Sequence, residues 1–155
     1  MQLHYTAGGI VLDDQGRVLL VRHRNHGRWL QPGGSIEPDE DPAEAAIREI
    51  QEETGITAEP LGTPNFTHPT SRGVPLPFAI VERLSRDRRL GPHRCLSFIY
   101  VCRPIGGRLR AQLDEVSEAR WVPINEIEAL GEIPDDLPSL VTAAARWAET
   151  QRAAA

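Results

Sequence analysis

The chain has 155 residues, 22 acidic and 17 basic side chains and a formal net charge of -5. That length suits a single domain, residues 1–155, with a proper core, and 40% apolar with 25% charged residues is ordinary for a soluble globular protein. The acidic balance and the absence of a dominant basic stretch argue against a general binder of nucleic-acid polymers, and no apolar run reaches membrane-spanning length.

The N-terminus, MQLHYTAGG, has neither the charged start nor the apolar core of a secretory signal, so the expected location is the cytoplasm. Leu3 to Leu12 is rich in aliphatic and β-branched residues and stops at the polar turn Asp13-Asp14-Gln15-Gly16. Arg17 to His23 reads as a second strand, and the short turn predicts that the two form a hairpin. Val18 to Val21 is a continuous apolar run, which predicts burial on both faces. A polar, basic loop from His23 to Arg28 follows. Arg22, Arg24, His26 and Arg28 either gather an anionic substrate or are simply solvated, and their position beside Gly33-Gly34 favours substrate contact for one or two of them. Trp29 is expected to pack beside the glycine turn rather than to serve as a stacking platform.

Helix signals are strongest from Asp41 to Gly55. Asp41 is a good N-cap, Pro42 fills the first helical position, and Glu44 completes a capping-box-like start. Ala43, Ala45, Ala46, Arg48 and Glu49 favour helix, and Gly55 supplies the stop. At about 100° per residue, Ala43, Ala46, Ile47 and Ile50 share the side that packs on a sheet. Glu49, Glu52 and Glu53 fall on an adjoining side, at spacings that bring their carboxylates together. A solvated acidic face is the ordinary reading of such acids. Here they border the apolar stripe, Gly33-Gly34 lies upstream, and Arg48 stands where an internal counter-charge is useful. A hard divalent cation would turn the repulsion into binding, because oxygen ligands suit magnesium or manganese.

After the helix, Thr57 to His68 predicts a strand interrupted by Pro60, Gly62 and Pro64, and Thr67 to Pro77 an exposed loop. Phe78 to Leu84 is the next strand, Ser85 to Pro92 a basic turn, His93 to Cys102 another strand, and Pro104 to Arg110 a glycine-bearing turn. Cys95 and Cys102 fall an odd number of residues apart in one strand, so they point to opposite faces and cannot pair within it, in keeping with a reducing compartment. His68 and His93 belong to no cluster with zinc-ligand spacing, which assigns them surface or packing roles. Arg94 either reaches a phosphate or is a plain strand-end charge. Val116 to Pro123 is a Trp-bearing strand, Asn125 is expected to cap a short helix through Leu130, and Asp135-Asp136 opens a helix from Leu137 to Gln151 with Leu140, Val141, Ala144 and Trp147 facing the sheet.

The segment Gly34 to Ile56 resembles the Nudix box, G-x5-E-x7-R-E-U-x-E-E-x-G-U, where U is a bulky aliphatic residue. Gly34, Glu40, Arg48, Glu49, Ile50, Glu52, Glu53, Gly55 and Ile56 fill every fixed place without a gap. The resemblance implies an α/β fold, a Nudix-type α/β/α sandwich whose mixed central sheet is flanked by helices. It implies a metal-dependent pyrophosphohydrolase that cleaves a nucleoside diphosphate derivative, most of all a nucleoside triphosphate or related nucleotide, by attack of activated water. Glu49, Glu52 and Glu53 would then be metal ligands for Mg2+ (or Mn2+), with the Gly33 carbonyl a further one. One of Glu53, Glu49 or Glu115 would orient or deprotonate the water; Glu115 enters because the family often places an acid about six residues before the tryptophan of the late strand, with Glu118 as fallback. Arg48 would hold the glutamates and Glu40 the loop. Arg22, Arg24, Arg28, Gln31 and Arg94 are the substrate-binding candidates. Gln31 departs from the aliphatic or aromatic residue usual before Pro-Gly-Gly, which loosens any transfer of substrate identity. The implied partner is a small nucleotide or other diphosphate, with no membrane, and the chain a monomer or homodimer. Two alternatives share the fold: a catalytically silent module that binds a nucleotide or ADP-ribose, and an isopentenyl diphosphate isomerase-like enzyme, to one of whose motifs Asn65-Phe66-Thr67-His68-Pro69 is faintly similar.

Overall fold

The computed structural model describes residues 2–85 and 91–154; the basic stretch 86–90, within the expected turn, lies outside the described residues. Among the described residues, eight strands and two α-helices follow one another as β1 (Leu3–Val11), β2 (Arg17–His23), β3 (Trp29–Leu30), β4 (Gly33–Ser35), α1 (Pro42–Thr54), β5 (Ile56–Pro60), β6 (Ala79–Ser85), β7 (His93–Gly107), β8 (Val116–Pro123) and α2 (Leu137–Ala154). A 3-10 helix, Ile124–Leu130, links β8 to α2. No helix among the described residues is long and apolar enough to cross a membrane.

Five strands form one sheet in the order β4-β1-β7-β5, with β6 also on β7, and three form a second, β3-β2-β8. The β1–β7 pairing is parallel and the others in the larger sheet are antiparallel, so that sheet is mixed. Between the sheets and under α2 lie Ile10, Leu20, Trp29, Ile99, Val101, Val122 and Val141. On the other face of the larger sheet, Ala43, Ala46 and Ile50 of α1 pack on Ala7, Val11, Tyr100 and Cys102. The layers are those of an α/β/α sandwich.

The expected hairpin of the first two strands does not form. Beyond a single bridge, Leu12 to Val18, β1 and β2 go to different sheets. The Asp13 carboxylate does take the backbone N–H groups of Gln15 and Arg17, so the turn is tight, but Val18 to Val21 are fully buried and need apolar cover on both faces. Crossing between sheets provides that cover.

Other expectations shift as well. β5 ends at Pro60, which lacks the N–H that a ladder continues with, so the strand does not run on to His68. β7 continues through the expected turn as far as Gly107, because β5 pairs with its C-terminal half. The 3-10 helix starts at Ile124, ahead of Asn125, with no side-chain cap. Gly33-Gly34 is not a turn but part of strand β4. A Cβ on Gly33 would lie 2.8 Å from the Ala7 carbonyl oxygen, and one on Gly34 would lie 2.5 Å from Glu49 Oε1. These two glycines serve close approach, not chain reversal.

Candidate active site

Helix α1 begins and ends as its caps dictate. The Asp41 carboxylate accepts from the Glu44 N–H at 2.9 Å, the Glu44 carboxylate accepts from the Asp41 N–H at 3.0 Å, and Gly55 closes the helix at φ 75°. Fixing both ends sets the rotation of the helix. Glu49 and Glu53 consequently lie on its buried side, Glu53 only 1% exposed, while Glu52 points outward.

Three acids converge. Carboxylate oxygens of Glu49, Glu53 and Glu115 lie within 4.8 Å of one another. Glu115 is brought there by the loop 108–115, which is tied to the end of α1 through backbone bonds Arg108 N–H to Gly55 O, Arg110 N–H to Thr54 O and Gln112 N–H to Glu53 O. The Arg24 N–H donates to the Glu115 carbonyl at 3.0 Å and its guanidinium to the Leu113 carbonyl, so the basic loop holds the same segment from the other side. Glu52, Glu53, Gln112 and Glu115 line a cleft of about 130 Å³. Gln112 carries no signal in the sequence; only the folded loop reveals it. Glu118, the fallback acid, is instead paired with Arg120 at 2.8 Å.

Arg48 is the counter-charge. Its guanidinium reaches Glu40 at 2.5 Å, Glu49 at 2.9 Å, Glu52 at 3.2 Å and the Ser35 carbonyl at 3.0 Å. Glu40 in turn accepts from the Glu37 N–H at 3.0 Å, which closes the loop before α1. The bonds from Arg48 hold the Glu40 carboxyl below the usual carboxylate range. Burial pushes Glu49 up, against the pull of Arg48.

Glu53 is the extreme case. Burial, with Glu49 and Glu115 nearby, pushes it up to about 9 despite the bond it accepts from the Gly33 N–H at 3.1 Å. Its second oxygen, Oε2, is buried with no hydrogen-bond partner. A buried, unpartnered carboxylate oxygen beside two more carboxylates is what a divalent cation with oxygen ligands would satisfy, so the donor set fits magnesium or manganese.

This has a consequence for the metal-free protein. The folded value for Glu53, about 9, stands above the ordinary value, 4.5. In that window the folded chain keeps a proton the unfolded chain has released, so this contribution to stability is full at low pH and is lost as pH rises through the folded value. Glu49 acts in the same direction. Thermal unfolding of metal-free protein is therefore expected to move to lower temperature from about pH 5 to about pH 9, and Glu53→Gln to flatten much of that slope. A wild-type profile as flat as the variant's would contradict the assignment.

The substrate candidates are scattered. Arg22 Nε donates to the Gly27 carbonyl at 3.0 Å and closes the loop between β2 and β3, and Arg28 is exposed on that loop. Gln31, between β3 and β4, has a buried Oε1 with no partner. Arg94 is not gathered with them: it stands opposite Leu3 at the start of β7, in an exposed pair with Glu82 at 2.5 Å. Trp29 is buried in the core with the Arg120 guanidinium 4.8 Å above its ring.

The mixed sheet, the capped acid helix and the loop acid that joins it define a class, the Nudix-type hydrolase domain. A family model described as NUDIX domain matches residues 2–143, and the chain belongs to that family as a Nudix hydrolase. It is 28% identical over 129 residues to a MutT-like protein of Streptomyces ambofaciens, covering 83% of this chain and 70% of that one. An 8-oxo-dGDP phosphatase of Mus musculus is 30% identical over 125 residues, which cover 77% of this chain but only 32% of the mouse protein. The crystal structure of a NUDIX-family hydrolase from Clostridium perfringens superposes with a TM-score of 0.71 at 21% identity, over 93% of this chain and 97% of that one.

Proposed function

We propose that the chain is a pyrophosphohydrolase that needs a divalent ion, Mg2+ or Mn2+, and cleaves a diphosphate linkage in a nucleoside triphosphate or related nucleotide. The observation that carries this reading is the convergence of the Glu49, Glu53 and Glu115 carboxylates, together with a buried Glu53 oxygen that has no hydrogen-bond partner. The names of the relatives support the substrate class: the mouse protein is an 8-oxo-dGDP phosphatase.

Glu49, Glu53 and Glu115 are the ligands the geometry favours, with Glu52 across the cleft and the Gly33 carbonyl as further ones. When bound, the ion would neutralise phosphoryl charge, lower the pKa of water and template an in-line attack. The chain's own residues do the rest. Arg48 fixes Glu49 and Glu52 on one side, and the loop 108–115 presents Glu115 on the other. One carboxylate of Glu49, Glu53 or Glu115 accepts the proton of the attacking water, and Glu115, carried on a loop and exposed, is the one among them that solvent reaches most readily. Arg22, Arg24, Arg28 and Gln31 lie on the segment leading to β4, where they can meet the anionic substrate.

The test is a screen of nucleotide substrates with magnesium and with manganese, reading released phosphate or pyrophosphate. Turnover of at least one nucleoside triphosphate is expected, falling to background when the ion is chelated and returning when it is restored. Metal-independent turnover, or binding of a nucleotide or ADP-ribose without any product, would overturn the reading.

A further inference from the structure

Away from the acidic cleft, a second set of ligating side chains converges on the larger sheet. His4 is on β1, and His93 and Cys95 are on β7. The parallel pairing of the two strands sets His4 opposite Cys95, and His93, two residues earlier, shares the face of Cys95. The sequence separates His4 from the other two so widely that no ligand spacing is visible in it.

One ligand atom from each of the three lies within 4.8 Å of the others. Cys95 Sγ is 3.4 Å from His93 Nε2. A tetrahedral zinc ion, with Zn–S of about 2.3 Å and Zn–N of about 2.0 Å, separates such a pair by about 3.5 Å. The orientation of His93 is fixed. Its Nδ1 lies 2.9 Å from the Gly91 carbonyl oxygen, which can only accept, so Nδ1 carries the hydrogen and Nε2 turns its lone pair toward Cys95. A ring held by a backbone carbonyl through its far nitrogen is the usual support of a metal-bound histidine. The His4 and His93 rings stand 5.6 Å apart at 52°, and His4 Nε2 is 2.9 Å from Ser35 Oγ on β4. A thiol–imidazole hydrogen bond would account for His93 and Cys95 alone. It does not involve His4, which the β1–β7 register sets opposite Cys95.

We propose that His4, His93 and Cys95 form a second metal site, for a borderline transition ion and first of all zinc, that clamps the start of β1 to the start of β7. Three protein ligands leave a fourth position for water. Nitrogen and sulfur donors select against magnesium, so the two sites sort ions by donor chemistry. Binding takes the proton from the Cys95 thiol and releases it to solvent.

Cobalt(II), titrated into metal-free full-length chain with magnesium in excess, tests this. One equivalent is expected to give visible bands of tetrahedral cobalt together with a near-ultraviolet thiolate-to-cobalt band, which carboxylates cannot supply. Cys95→Ser should abolish the thiolate band, His4→Ala should weaken cobalt binding at least about tenfold, and Glu53→Gln should leave both features in place. Zinc should displace the cobalt and raise the unfolding temperature of the wild type but not of Cys95→Ser. His93→Ala is the stronger ligand deletion; if it does not fold, His4→Ala decides. No thiolate band with cobalt in excess, or a band that survives Cys95→Ser, would overturn the proposal.

Discussion

Glu53→Gln is expected to lower kcat at least about a hundredfold and to leave the fold intact. Glutamine keeps the shape of the side chain and can still accept from the Gly33 N–H, but it cannot bring a negative oxygen to the position where Oε2 stands without a partner. The amide is neutral at every pH and so avoids the cost of keeping a buried acid protonated above its ordinary value, and the variant should unfold at an equal or higher temperature than the metal-free wild type. Loss of turnover with retained or raised stability is the signature of a residue placed for chemistry. Glu52→Gln is expected to act in the same direction, since its carboxylate lines the same cleft and is held by Arg48. Steady-state kinetics at saturating magnesium, read beside thermal unfolding, check both. Near wild-type kcat in Glu53→Gln would remove the basis for the proposed site.

Gly55→Ala is expected to damage stability and activity together. Gly55 sits at φ 75°, where a side chain is strained, and an added Cβ would collide with the Arg108 carbonyl oxygen. The backbone strain alone costs about 1 kcal/mol, and the collision adds to it. The second effect is the more informative. The Arg108 N–H donates to the Gly55 carbonyl, and the same run of bonds continues through Thr54 and Glu53 to Gln112, so displacing Arg108 loosens the loop that carries Glu115. Kcat should fall at least about tenfold under conditions where the variant is still fully folded. A variant that loses stability but keeps kcat would show that Glu115 is not positioned by this loop.

Much of helix α1 was legible because its signals are local. The caps of α1, its apolar stripe and the spacing of its glutamates lie within one stretch of helix, where periodicity translates directly into faces. The Trp-bearing strand, Val116–Pro123, was equally readable from its own residues. The hairpin expectation failed because strand pairing is decided by which partner covers a face, and Val18 to Val21 need cover on both. Glycines at 33 and 34 suggested a turn, but their reason is the nearness of Ala7 and of the Glu49 carboxylate, neither of which the sequence displays.

Helix α1, its two ends and the run of acids along it were therefore set by the order of residues alone, since each depends on contacts only three or four positions apart. The folded chain decided which acids meet. Glu115 joins Glu49 and Glu53 because backbone bonds fasten its loop to the helix end, whereas Glu52, adjacent in sequence, turns outward to Arg48. His4, His93 and Cys95 come together only through the parallel pairing of β1 with β7, and such long-range pairing leaves no periodicity in the sequence to be read.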